Sequence, residues 1–131
     1  MNALALAHDA DAVLSQDVLE HLDAQLVSGR RLLAIVLEQG LAIRERDVQA
    51  VVTMTGTMQA ELQRRQLLEE QRSRLLERAG VRLGVTAGSV TLSLLEELMD
   101  PVAASTAREN SAELRGLLEE IQREHHCNGS E

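Results

Sequence analysis

The 131-residue chain has no Phe, Tyr or Trp, so its core must be built from Leu, Val, Ile, Met and Ala. Without rings there is also no platform on which a nucleic-acid base could stack. Lys is absent as well: all 13 cationic side chains are Arg, against 21 Asp and Glu, for a formal net charge of -8. A surface of that sign repels phosphates and excludes binding through backbone neutralisation. The one cysteine, Cys127, gives no disulfide framework. No run approaches the ~20 apolar residues of a membrane span. The N-terminal "MNALALAHDADAV" lacks the positive region and the longer apolar stretch of a signal peptide. What remains is one Pro and a chain dominated by Leu, Ala, Glu, Arg and Gln, a profile of long helices. At 14.4 kDa a single domain is expected, soluble and cytoplasmic.

From Leu14 to Arg46, Leu19, Leu22, Leu26, Gly29, Leu33, Val36, Gly40 and Ile43 alternate spacings of three and four. That is the a/d seam of a helix that packs on a neighbour. Ser15 is placed to cap its start. The two seam glycines weaken the helix by about 1 kcal/mol each, and in return they admit a close neighbour. "RERDVQA" is the expected turn, with Asp47 as N-cap of a second helix over 48–79. One unbroken helix over 16–79 would span roughly 96 Å, too long for so small a domain. A break near Asp47 yields two matched helices and an antiparallel hairpin. In that register Leu26 meets Leu68, Leu19 meets Leu75 and Val36 meets Met58, while Gly29 opposes Arg65 and Gly40 lies near Met54 and Gly56.

Gly80 stands where an αL stop belongs, and 80–90, "GVRLGVTAGSV", reads as a glycine-rich linker. It is no phosphate loop, since no Lys-Ser/Thr follows the glycines. A short helix over 91–99 follows, with Val90 and Leu95 spaced as a hydrophobic staple. Asp100-Pro101 then restarts the chain as cap and first helical residue. The last helix is expected over 101–126, with a stripe of Ala103, Ala107, Asn110, Leu114, Leu117 and Ile121, and Leu118 beside it. The fold class is therefore all-α: a long antiparallel hairpin, a short third helix and a fourth helix packed on the hairpin.

Little here looks like chemistry. His125 and His126 are adjacent and diverge by about 100° on a helix, whereas paired metal ligands want spacings of three or four. His8 and His21 would have to fold back to complete such a site. Cys127 at a chain end lacks the ordered base and positive pocket of a nucleophile. Glu69-Glu70 and Glu119-Glu120 diverge in the same way as the histidines. The arginines at 64, 65, 72, 74, 78 and 82 are interleaved with Glu61, Glu69, Glu70 and Glu77. Glu61 to Arg65 and Glu70 to Arg74 have i,i+4 spacing, the pattern of a solvated, salt-bridged face. No catalytic residue, cofactor or metal is expected, and the chain reads as a non-enzyme that works through contact between helices.

Four segments carry a resemblance: "LLAIVLEQGLAIRERDVQAV" (32–51), "LEEQRSRLLERAGV" (68–81), "TLSLLEEL" (91–98) and "LRGLLEEIQREHHCNG" (114–129). In this order they resemble the FlgN family of flagellar export chaperones over roughly residues 15–129. Arg46 and Asp47 match its Arg-Asp turn. Arg72, Leu75, Leu76 and Gly80 match the end of its second helix. An all-Arg cationic set accords with a GC-rich bacterial source. The resemblance implies a small bacterial cytoplasmic chaperone that keeps hook-filament junction proteins soluble for type III export, with contacts to export-gate components.

It also implies client binding through the last helix. Leu114, Leu117, Leu118 and Ile121 would form an exposed apolar stripe, and His125 and Asn128 would stand at the two positions of an Asn-x-x-Asn-type motif. On this reading "REHHCNGSE" begins a client-binding segment and is no metal site; the family's last helix continues through further apolar residues. The alternative is a self-associating helical scaffold whose seam pairs with a second copy.

Overall fold

A computed structural model describes residues 3–130, with side-chain environments for residues 9–129. Met1, Asn2, Glu131 and the side chain of His8 lie outside that description. The described chain is an all-α bundle: α1 (Ala3–Arg44), α2 (Val48–Leu83), a 3-10 turn (Ala87–Ser89), α3 (Leu92–Glu96) and α4 (Pro101–Ser130).

The turn between α1 and α2 is closed by the backbone. Arg46 takes a left-handed conformation (φ 56°). The Arg46 amide then bonds to the Ile43 carbonyl (3.1 Å) and the Asp47 amide to that of Ala42 (2.9 Å), the paired bonds of a Schellman ending. Asp47 caps α2, its Oδ1 accepting from the Ala50 amide at 3.0 Å. The joint thus needs neither Gly nor Pro.

The helices run antiparallel. His21 Nε2 donates to the Leu68 carbonyl (2.8 Å), Arg78 pairs with Asp17 (2.8 Å) and Arg82 with Asp11 (2.7 Å). The hydrogen bond that Arg82 donates to Asp11 raises the pKa of Arg82, Coulombic attraction adds to it, and burial opposes both.

Several boundaries differ from the sequence reading, and among them α3, expected over 91–99, covers only Leu92–Glu96. α1 begins well before Ser15, which lies inside the helix and is 8 % exposed. The Ala/Leu-rich start favours helix, and Asp11 on this extension meets Arg82 on the matching extension of α2. Gly80 does not end α2; Gly84 does, at φ 72°. The amide of Val85 bonds back to the Gly80 carbonyl at 3.0 Å. A Cβ on Gly80 would lie 2.6 Å from the Val85 carbonyl oxygen, so this glycine serves the passage of the returning loop. α4 is helical through Ser130, past the expected end at 126. The linker is also less irregular than expected, since it contains the 3-10 turn.

α3 is a single short turn capped by Thr91, whose hydroxyl accepts from Leu94 (3.3 Å). Asp100 caps α4 through the Ala103 amide (2.8 Å).

α4 packs along α1 rather than into the seam between α1 and α2. Leu114 and Leu117 lie over Gly29, and Asn128 lies over Gly40, so residue numbers rise together and α4 runs parallel to α1. Both seam glycines therefore receive α4. The atoms nearest to a Cβ on Gly29 would be those of Leu114 and Leu117, and on Gly40 those of Asn128 and Arg44, in place of the expected Arg65, Met54 and Gly56; a Cβ on Gly56 would meet open space.

The reason is that α1 is the central helix and buries two stripes. One includes Val18, Gln25, Gly29, Leu32, Val36 and Gly40; the other includes Leu14, Ser28, Ile35 and Ala42. Two apolar clusters result. A basal one unites Leu14, Val18 and Ala79 with Leu22, Leu75, Leu83, Val90, Leu95, Leu98 and Met99. An upper one unites Leu32, Val36 and Ile121 with Leu33 and Met58. The staple residues Val90 and Leu95 both join the basal cluster, and Val36 joins Met58 as the register required.

Candidate functional site

The six side chains expected to face a partner are divided by the fold. Ile121 is 9 % exposed and belongs to the upper cluster with Leu32 and Val36. Burying such a side chain contributes about 1.5–3 kcal/mol, so Ile121 holds α4 on α1. Its expected exposure is corrected on this ground. Asn128 is buried as well, and its Nδ2 donates to the Val36 carbonyl at 2.8 Å. A Cβ on Gly40 would fall 2.5 Å from Asn128 Oδ1, so Gly40 makes room for this amide. Leu114 and Leu117 are half-buried, and both approach Gly29. Leu118 is exposed, and so is His125, which lines a shallow depression with Glu119, Gln122, Arg123 and His126. Among the described residues no three His, Cys, Asp or Glu side chains gather as a metal site, and no helix is long and apolar enough to cross a membrane.

Leu114 and Leu118 face a groove that the sequence reading missed. α2 and α4 both rest on α1 and hardly touch each other, leaving an open channel of about 440 Å³ between them. Its floor is α1, through Val18, His21, Leu22 and Gln25. One wall is α2, with Arg65, Glu69, Arg72, Leu75 and Leu76, and the other is α4, with Ser111, Leu114, Arg115 and Leu118. Val90 to Leu92 and Leu95 close the basal end. Along α2 the lining covers residues 65–76, about 16 Å at helical rise.

The electrostatics of the groove run against those of the chain. Five arginines have carboxylate partners: Arg30 with Glu113, Arg64 with Glu61, Arg78 with Asp17, Arg82 with Asp11 and Arg108 with Glu96. Four of these five pairs join different elements or distant turns, so the expected ladder of i,i+4 pairs along α2 is not what α2 builds. Glu61 in particular pairs with Arg64 and not with Arg65. Arg65 instead lines the groove, with its Nη1 buried and without a hydrogen-bond partner. Arg72 and Arg115 line it too, and neither forms an ion pair with a described residue. Glu69 is the one carboxylate in the lining.

The signal for this site was present in sequence as the arginine cluster on α2. What could not be seen was that α4 would lie on α1 and leave those arginines facing a channel. Comparisons with protein-family models, with curated proteins and with solved structures return no match for this chain.

Proposed function

We propose that this chain is a cytoplasmic bacterial export chaperone that shelters an amphipathic helical segment of a hook-filament junction protein and keeps it soluble for flagellar type III secretion. The groove is the observation that carries this reading. It is open and lined by Leu22, Leu75, Leu76, Leu114 and Leu118, an apolar lining of the kind used in helix-in-groove recognition. The ordered resemblance of four segments to the FlgN family supplies the client class. Contacts with export-gate components belong to the same reading. Capture runs through Leu114 and Leu118, which face the channel. Leu117, Ile121 and Asn128 act by docking α4 on α1, and His125 stands apart from the channel.

Mixing the full chain with terminal helical segments of hook-filament junction proteins, and weighing the product by light scattering with refractive detection, tests this. A one-to-one complex is expected, and Leu118→Asp should abolish it without changing the thermal melt. Failure of every segment to bind would overturn the reading.

A second reading, a self-associating scaffold, is favoured by exposed apolar side chains near the α1–α2 turn: Leu37, Leu41, Val48 and Val52. A mass that rises with concentration, and falls back on Leu41→Glu, would support it.

A further inference from the structure

We propose that the groove selects a helix carrying carboxylates along its apolar edge, two turns apart, one held between Arg65 and Arg115 and the other at Arg72. This rests on the reading of the groove as a helix-binding site and adds the chemistry of the occupant.

Three observations carry it. First, the chain is strongly acidic, yet the groove holds three arginines and one glutamate. A channel of inverted sign attracts a segment of the sign that the rest of the surface repels. Second, these arginines are unpaired while five others are paired within the chain. Arg65 Nη1 has already lost water without gaining an acceptor, and a buried donor in that condition is completed by a carboxylate more strongly than by a neutral group. Third, the register fixes the spacing. Leu114 and Leu117 sit over Gly29 of α1, and the contacts of Asp17 with Arg78 and of Gln39 with Thr55 set Arg65 of α2 level with Gly29 as well. Arg115 and Arg65 therefore stand at about the same height on opposite walls. Arg72 lies seven residues along α2 toward α3, about 10.5 Å away at helical rise. An incoming helix alongside α2 meets both heights with acidic residues at i and i+7.

The probe is a labelled amphipathic Leu/Ala/Gln peptide of about 18 residues, long enough to be helical, with Glu at i and i+7. Matched peptides carry Gln or Lys at those positions. Fluorescence anisotropy with the full chain should show the Glu peptide binding roughly tenfold or more tighter than the Gln peptide, with the Lys peptide weakest. Arg72→Gln and Arg115→Gln should each erase most of that preference, and Arg72→Glu should favour Lys at the matching position. Circular dichroism melts check that each variant is folded; Arg115, exposed on α4, serves if changes at half-buried Arg65 disturb the bundle.

Equal binding of the Glu, Gln and Lys peptides, or a Glu preference untouched by the arginine substitutions, would overturn the proposal. The client reading fails separately. Should the Glu peptide bind through these arginines while no junction-protein segment does, the groove chemistry stands and the client class falls. Should junction segments bind regardless of Arg72 and Arg115, the client class stands and this chemistry falls.

Discussion

The apolar clusters at the base and top of the bundle differ sharply from the waist between them, although α1 and α2 run through all three. At the base, Leu14, Val18 and Ala79 are closed over by seven further apolar side chains, many of them from the α2–α4 connection. At the top, Val36 is 1 % exposed beneath Ile121 and Met58. Between them Gln25 and Ser28 are buried beside Leu26, Glu61 is buried one turn of α2 from Met58, and Ser28 Oγ and Glu61 Oε1 have no hydrogen-bond partner. Polar groups buried in this way lower stability. The groove runs from this stretch, at Gln25, down onto the basal cluster, whose Val18, Leu22, Leu75, Val90 and Leu95 line it. The two clusters hold the helices together, and the stretch between them holds polar groups that the fold leaves without partners.

The largest expected effect separates top from waist on one helix. Ile121→Asp puts a carboxylate into the upper cluster and should cost several kcal/mol, enough to release α4. Leu118→Asp, three residues earlier on the groove side, should change stability by less than about 0.5 kcal/mol. Urea unfolding followed by circular dichroism at 222 nm reads both. Comparable losses would mean that α4 is held as firmly at the waist as at the top.

Glu61→Met tests the waist from the other side. Replacing a nearly fully buried, half-satisfied carboxylate by an apolar side chain of similar volume should be neutral or stabilising by about 1–2 kcal/mol. A loss of more than about 1 kcal/mol would show that Glu61 contributes an interaction beyond its bond to Arg64.

The smallest contrast lies within the α1–α4 seam. At Gly29 a new Cβ would sit 3.5 Å from Leu117, an ordinary contact, so Gly29→Ala should stabilise by about 0.5–1 kcal/mol through helix propensity. At Gly40 the new Cβ would strike the Asn128 amide. Gly40→Ala should therefore displace the bond to Val36 and cost about 1 kcal/mol net. Equal signs for the two substitutions would contradict the way Asn128 uses Gly40.

Much of the local structure was legible. The Asp47 and Asp100 caps follow from short-range chemistry and are formed, and the staple residues Val90 and Leu95 both reach the basal cluster. The a/d seam of α1 was legible too, but only as one stripe. Ser28 and Gln25 read as surface residues by type, and their burial against two flanking helices is what made α1 central. Gly80 misled because a glycine admits two uses, a positive φ or a close passage, and only the path of the following loop distinguishes them. The groove was legible only as the arginine cluster on α2, because which arginines face a channel depends on where α4 packs.

Short-range chemistry was therefore enough to read the helical class, the position of the hairpin turn, the Asp47 and Asp100 caps and one apolar stripe of α1, since these depend on neighbours within a few residues. Only the tertiary structure decided that α4 runs parallel on α1, that both seam glycines serve α4, and that Arg65, Arg72 and Arg115 line one channel. A stripe specifies that a helix must be covered, but which helix covers it depends on packing between segments many tens of residues apart.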